Sequence, residues 1–357
     1  MLKRYLFLSA IWAFVMFCLA LPVLAEVIVD TAWVRRYCGP GYGYDLAYAI
    51  AVDSSGNVYV TGGSYDTTMR DATVKYYPDG DTAWVRRYDG PENSWDTAYA
   101  IAVDDSGNVY VTGGSYNNGT YDDYATIKYK LNGDTAWARR YNGPGNGYDE
   151  ARDIAMDDSG NVYVTGKSYD SGSDYDYATI KYHPNGDTAW VRRYNGPGNG
   201  YDDAFAIAVD DSGNVYVTGG SYNNGTYEDY ATIKYKLNGD TAWARRYDGP
   251  GNYNDVAFAI AVDGSGNVYV TGSSYGTGTN QDYATIKYVQ LLCGDVNKDG
   301  VVNSADVAYL VNYLFVYGPA PQPLNVGDVN GDGKTNSADV VYLINYLSIG
   351  GPPPCEH

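Results

Sequence analysis

Histidine is almost missing from this chain. Only two occur in 357 residues. His183 falls in a turn and His357 ends the chain, so no nucleophile–histidine–acid set can be assembled. Cations are scarce as well: 24 Lys and Arg stand against 43 Asp and Glu, a formal charge of −19. Nucleic acids and anionic membrane surfaces both demand a basic face, so neither is an expected partner. The balance suits an extracellular protein or a cation binder, and a solvated acidic surface accounts for much of it. Long apolar runs are lacking beyond the N-terminus. There Lys3-Arg4 precede an apolar stretch from Tyr5 to Leu21 and then Pro22-Val23-Leu24-Ala25, the pattern of a secretory signal cut after Ala25. About 17 apolar residues is the short limit for a span, so the membrane is expected to matter only during export. Of the 4 cysteines, Cys18 leaves with the leader. Cys38, Cys293 and Cys355 remain, and an odd count predicts one pair with a free thiol, or an intermolecular link.

What is abundant is tyrosine, 41 residues, and glycine, 43 residues. They sit in a repeat. The phrase Thr31-Ala-Trp33-Val-Arg-Arg-Tyr37 returns at Thr82, Thr135, Thr188 and Thr241, a period of roughly 53 residues. Each copy is followed by an alternating Asp-x-Ala-x-Ala/Asp stretch, then Gly-Asn-Val-Tyr-Val-Thr-Gly, then Ala-Thr-Ile/Val-Lys-Tyr. In the fourth copy these predict strands over 202–209, 214–218, 230–235 and 241–247, with period-two alternation in the first. Asp210-Asp-Ser-Gly-Asn214 and Lys236-Leu-Asn-Gly-Asp240 supply turns. Four antiparallel strands repeated radially predict a mainly β fold, a five-bladed β-propeller. The last copy lacks its fourth strand and the chain begins with a spare one at 30–37. Pairing the two would close the ring and remove both edges. An open array or a ring completed by a second chain are the alternatives.

The longer connections, 195–201 and 219–229 in the fourth copy, are expected on one face of the disc. They are rich in Tyr, Asn, Gly, Ser and Asp, a composition suited to stacking and adaptable hydrogen bonding and equally to turn formation. Asp45, Asp96, Asp149, Asp202 and Asp255 begin the inner strands beside that face. They are candidate ligand-binding carboxylates, or turn and cap acceptors. The third copy departs from its siblings at Arg152 and Asp153, and the second at Trp95, marking either a unique pocket or repeat drift with a local ion pair. Asymmetry among carboxylates, which catalysis on glycosides would need, is confined to the neighbourhood of Asp149, Glu150 and Asp153.

Composition changes at Cys293. Asp295, Asn297, Asp299, Val301 through its carbonyl, Asn303 and Asp306 occupy positions 1, 3, 5, 7, 9 and 12 of a calcium loop, with Gly300 at the sharp turn. The unit recurs as Asp328, Asn330, Asp332, Lys334 through its carbonyl, Asn336 and Asp339, with Gly333 at the turn. Two calcium ions are therefore expected, with folding linked to the metal. Apolar stripes follow each loop: Val307, Leu310, Val311, Leu314 and Val340, Leu343, Ile344, Leu347.

The run Asp-x-Ala-x-Ala-Ile-Ala-Val-Asp-x-Ser-Gly-Asn-Val-Tyr-Val-Thr-Gly resembles the SBBP-type propeller repeat, itself similar to the NHL repeat, over residues 26–290. The duplicated loop and helix, with Asp at position 12, resembles a type I dockerin over 293–357. That resemblance implies calcium-dependent docking to a cohesin module of a scaffold or surface protein. It implies recognition through Ser304, Ala305, Val311, Asn312, Ser337, Ala338, Ile344 and Asn345. It implies close termini, hence a Cys293–Cys355 clasp. Cellulosomal dockerins often carry a basic residue near Asn312 and Asn345, and an aliphatic one where Thr335 stands. The organisation expected is a leader at 1–25, a propeller at 26–290 and a dockerin at 293–357. The functional reading is a secreted, non-catalytic module whose propeller meets a glycan or surface protein. The alternatives are a glycoside hydrolase or lyase of polysaccharide breakdown and a structural cell-surface protein.

Overall fold

Strand and turn chemistry repeat faithfully enough to build four near-identical sheets. The computed structural model describes residues 29–41, 43–225 and 227–354; the leader, Cys18 and Cys355 lie outside the described residues. Blade 1 comprises β1 (Asp45–Val52), β2 (Val58–Tyr65), β3 (Met69–Tyr76) and β4 (Thr82–Tyr88), antiparallel in that order. Blades 2, 3 and 4 repeat it over residues 96–141 (β5 to β8), 149–194 (β9 to β12) and 202–247 (β13 to β16). Blade 5 has three strands: β17 (Val256–Val262), β18 (Val268–Tyr275) and β19 (Gln281–Tyr288). Two helices follow, α1 (Ser304–Val316) and α2 (Ser337–Ile349).

The invariant phrases turn out to be glue. In each Asp-x-Ser-Gly-Asn turn the first carboxylate gathers several donors: Asp53 accepts from Ser55 N, Asn57 N, Asn57 Nδ2 and the Tyr59 hydroxyl at 2.7–3.0 Å. The equivalent bonds from Asn267 hold the Asp263 carboxyl down at about 2. The Trp and first Arg of the first four Thr-Ala-Trp phrases reach the blade that follows. Trp137 Nε1 donates to Pro184 O at 3.1 Å and Arg139 Nε to Gly186 O at 2.7 Å. Trp190 and Arg192 do the same to Leu237 O and Gly239 O. Buried tyrosines complete three of the four seams. Tyr124, Tyr177 and Tyr230 donate to the carbonyls of Ala178, Ala231 and Ala284, each one blade ahead. Aromatic burial with a satisfied polar tip is why tyrosine dominates this composition.

Blade 1 has Asp71 where its siblings have that tyrosine, and the residue is 3% exposed. Burial pushes its carboxyl up to about 7, with nearby Asp96 adding and Thr61 opposing. An acid raised in the folded state keeps a proton that the unfolded chain releases. The cost to stability is therefore absent below pH 4, grows from there to about pH 7 and is full above it. Asp71→Asn is expected to raise the melting temperature relative to wild type at pH 8 and to leave it unchanged at pH 4.5. Parallel melts across that range check it, and a pH-independent difference would count against it.

Two expectations need correction. The 219–229 stretch is mostly strand, not a long loop: β14 (Val215–Asn223) and β15 (Tyr227–Tyr235) pair from Val215 opposite Tyr235 to Asn223 opposite Tyr227, joined by a short turn at 224–225. Gly219, expected in that long connection, lies inside β14 and serves close approach. A Cβ there would sit 2.0 Å from Asp203 O and 2.8 Å from the Tyr177 hydroxyl. The second correction concerns closure. Residues 30–37 form no ladder with β19, so the fifth sheet keeps three strands. The segment instead lies along blade 1, with Trp33 Nε1 donating to Pro78 O at 3.1 Å and Arg35 Nε to Gly80 O at 2.7 Å. The spare strand thus makes the seam contacts of a fourth strand without the strand it should flank. Cys38 is free and Cys293 is disulfide-bonded, which removes Cys38 as its partner.

Candidate functional site: an inner-edge ion cluster and two oxygen-rich loops

Each inner strand carries a bulge at one residue. The registers skip Tyr48, Tyr99, Arg152, Phe205 and Phe258 in blades 1 to 5. A bulge re-aims a side chain out of the ladder, and here all five turn toward the inner edge. Tyr48 meets Tyr99 at 5.5 Å between centroids. Arg152 lies over the Tyr99 and Phe205 rings at 5.8 and 5.7 Å. Phe205 meets Phe258 at 5.4 Å. Arg152 is the one cation in this aromatic ladder, which locates the departure seen in the third copy.

Around Arg152 lies a charged cluster. Its Nη2 is 3.0 Å from Glu150 and 3.3 Å from Asp203. Both acids are buried, at 4% and 2% exposure. Lys167 lies 3.9 and 4.0 Å from the same carboxylates and donates to the Tyr201 hydroxyl at 3.0 Å. Its ammonium is also ringed by Tyr148, Tyr175 and Tyr201 at 5.1–5.4 Å. Burial raises Asp203 above the ordinary carboxylate range although Arg152 and Lys167 pull it down. Burial pushes neighbouring Asp122 up to about 6, with Glu150 and Asp96 adding and Tyr148 opposing. Lys167 was missed in the sequence, yet a signal existed: siblings have Gly63, Gly114, Gly220 and Ser273 at its position.

The five inner-strand aspartates do not form a ring of free carboxylates. Asp45, Asp96, Asp149, Asp202 and Asp255 each accept from the backbone N–H of the glycine six residues earlier, at 2.6–3.0 Å. Asp149, Asp202 and Asp255 also accept from Tyr169, Tyr222 and Tyr275 N–H. The four beyond blade 1 are at most 1% exposed. Asp45 and Asp96 thus spend one oxygen each on loop closure and keep Oδ1 buried without a hydrogen bond among the described residues, while Asp149, Asp202 and Asp255 spend both. Asp153 behaves likewise, accepting from Ile154 N at 2.8 Å and Ile207 N at 2.9 Å. The same loop face presents large aromatics to solvent: Tyr44, Trp95, Tyr121, Tyr227 and Tyr253, exposed by 56–80%. Tyr227 and Tyr253 stack at 5.8 Å with an 8° interplanar angle.

In the C-terminal unit the two loops superpose in chemistry. Gly300 and Gly333 hold φ of 89° and 85°, a region only glycine enters cheaply. Asp295 accepts from Asp299 N and Gly300 N at 3.1 and 2.9 Å. Asp306 accepts from Asn297 N and from Asn303 N, and Asp339 from Val329 N, Asn330 N and Asn336 N. Asn303 and Asn336 cap α1 and α2 through the N–H groups of Ala305 and Ala338, completing capping boxes with Asp306 and Asp339. The position-12 acid therefore fastens loop to helix. Asp295, Asn297, Asp299, the Val301 carbonyl, Asn303 and Asp306, and their six counterparts from Asp328 to Asp339, present only oxygen. That donor set suits a hard cation such as calcium. Thr335 departs from the aliphatic pattern because its hydroxyl donates to Leu324 O at 2.9 Å. Ser304, Ala305, Val311, Asn312, Ser337, Ala338, Ile344 and Asn345 are all exposed. Val311 and Ile344 thus leave the expected core stripe, while Val296, Leu310, Val329, Val340 and Leu343 form the core.

Comparison with known proteins agrees with this division. Residues 293–348 match the dockerin type I domain. Residues 32–66, 83–119, 136–172, 189–225 and 245–278 match the SBBP beta-propeller repeat. No curated protein matches the chain. Among matching solved structures is a protein assigned as a gluconolactonase, 14% identical, covering 64% of this chain and 72% of that one with a TM-score of 0.37.

Proposed function

The chain belongs to the beta-propeller repeat family and ends in a type I dockerin, and from that premise we propose a secreted, non-catalytic binding module moored through calcium to a cohesin. The observation that carries the reading is the duplicated oxygen-rich loop, each copy locked to its helix by one buried acid. Two calcium ions, one per loop, would be held by the twelve residues named above. The exposed residues at positions 10 and 11 and along the helices would meet the cohesin. Cys293 would pair with Cys355, and closing a loop of that length contributes roughly 4 kcal/mol if unstrained.

For the propeller we assign the loop face as the binding surface, with carbohydrate as the favoured ligand. Support comes from the solvent-exposed row of Tyr44, Trp95, Tyr121, Tyr227 and Tyr253. Flat rings stack on sugar faces, while Asn and Ser satisfy hydroxyls. The Glu150–Arg152–Asp203–Lys167 cluster lies at the inner edge of the same blades, and its charges are mutually neutralised, which suits a framework better than a reacting centre. Immobilised chain should capture a cohesin-bearing protein from a secretome in calcium and lose it in chelator. Glycan beads should be retained in both conditions, and Tyr253→Ala should weaken only the glycan arm. Capture of cohesin unaffected by chelator would refute the mooring; no glycan retention would refute the face. Peptide maps before and after reduction check the Cys293–Cys355 link.

A further inference from the structure

The two ends of the blade array are complementary: the forward face of blade 5 is bare, and the receiving face of blade 1 carries only residues 30–37. Between consecutive blades the forward side contributes Tyr and Trp, and the receiving side contributes Val, Ala, Ile and Tyr. Tyr163, Tyr177 and Trp190 of blade 3 seat on Ala204, Val215, Val217 and Ile233 of blade 4. On blade 5 the matching forward residue, Tyr283, is 97% exposed, whereas Tyr124, Tyr177 and Tyr230 are fully buried. On blade 1 the receiving side is open: Ile50 is 67% and Val52 58% exposed, beside a groove of about 680 Å³ lined by Trp33, Ala47, Val60 and Ala72.

Polar complementarity follows the same rule. Arg140, Arg193 and Arg246 each bond a serine and an aspartate of their own blade: Ser115 and Asp123, Ser168 and Asp176, Ser221 and Asp229. The repeat assigns Ser274 and Asp282 of blade 5 to Arg36, which lies exposed along blade 1. The tyrosine rule likewise assigns the Ala72 carbonyl to the Tyr283 hydroxyl. Residues 30–37 therefore present, already docked on blade 1, the fourth strand that β19 lacks.

We propose that blade 5 of one chain seats on blade 1 of a second copy, with residues 30–37 of that copy completing the fifth sheet. Transferring the register of β3 with β4 puts Ala284 opposite Arg36 and Thr285 opposite Arg35. A head-to-tail contact of this kind is heterologous. It continues an interface the chain already makes four times, and it buries both open edges. The inference is independent of the mooring and glycan readings.

Light scattering on the mature full-length chain, run through a concentration series, should give a mass of two or more chains. Tyr283→Arg should give one, with an unchanged far-ultraviolet spectrum. A second test does not depend on that variant folding. In a Cys38→Ser background, Arg36→Cys and Ala284→Cys chains are mixed and oxidised gently. A disulfide joining the two different chains is expected. Monomer at every concentration, or the double variant closing on itself with no cross-linked pair, would overturn the proposal in favour of closure within one chain.

Discussion

Removing calcium should unfold the C-terminal unit and leave the blades intact. Five buried side chains, Val296, Leu310, Val329, Val340 and Leu343, with a few half-buried neighbours, make up the core beneath α1 and α2. So small a core does not stand unaided. The loops also concentrate acid: Asp295, Asp299 and Asp306 in one, Asp328, Asp332 and Asp339 in the other. Without a cation these carboxylates repel, and Asp306 and Asp339 are completely buried. A ligand at a thousand times its dissociation constant stabilises by about 4 kcal/mol, so two sites supply roughly 8 kcal/mol, the larger part of a small domain's stability. In chelator the far-ultraviolet helical signal should vanish, cohesin capture should fall by more than about a hundredfold, and near-ultraviolet tyrosine and tryptophan bands should persist. Asp306→Ala with Asp339→Ala should reproduce this in calcium, because each acid also accepts the backbone N–H groups that tie loop to helix. Calorimetric titration showing no uptake by the wild-type chain, or helices that survive chelation, would refute the account.

Much of this was readable from the sequence, and the failures have physical causes. Period and turn chemistry announced the blades because each Asp-x-Ser-Gly-Asn turn is closed by its own residues, within a few positions. The two oxygen-rich loops were legible for the same reason. Seam residues were harder: nothing local tells that Trp137 reaches Pro184, since the repeat preserves the Trp while the acceptor alternates between Pro and Leu. The inner-strand aspartates were ambiguous because a carboxylate beside a glycine-rich loop suits a ligand and a backbone N–H equally, and the N–H groups are closer. Gly219 and Gly220 imitated a loop because glycine marks both turns and tight strand contacts. Closure was beyond sequence altogether. Matching surfaces on blades 1 and 5 are encoded residue by residue, but the angle between blades is a sum of small packing offsets. The cluster at blade 3 lay between these cases. Arg152 was visible as an oddity, yet its meaning needed Lys167 and Asp203, which come from other strands.

Arg152 should be the most costly single residue to lose from the propeller. Its guanidinium bridges Glu150 and Asp203, both nearly inaccessible. Breaking a buried pair by deleting one partner costs about 3–5 kcal/mol, mostly from the charge left behind. Here two carboxylates are left, with Lys167 some 4.0 Å from Asp203 as their remaining cation. Arg152→Ala should therefore lower the melting midpoint by roughly 10 °C at neutral pH, from the usual few degrees per kcal/mol. The sign with pH follows from burial. Asp203 is already raised above the usual carboxylate value, and Arg152 is among the groups restraining it. Without that restraint its folded value climbs further above the unfolded one, so the folded state binds the proton more readily. The deficit should shrink as pH falls from 8 toward 5, the opposite of ordinary acid destabilisation. Replacing the whole set with sibling residues, Arg152→Tyr with Glu150→Thr, Asp203→Thr and Lys167→Gly as at Tyr99, Thr97 and Gly114 of blade 2, should restore wild-type melting. A framework role requires that rescue, since a well-packed apolar substitute can match a buried ion pair. Rescue of melting with glycan retention preserved would confine the cluster to holding blades 3 and 4 together. A deficit that did not vary with pH would mean the lost contacts are those of Arg152 with the Tyr99 and Phe205 rings, not its charge.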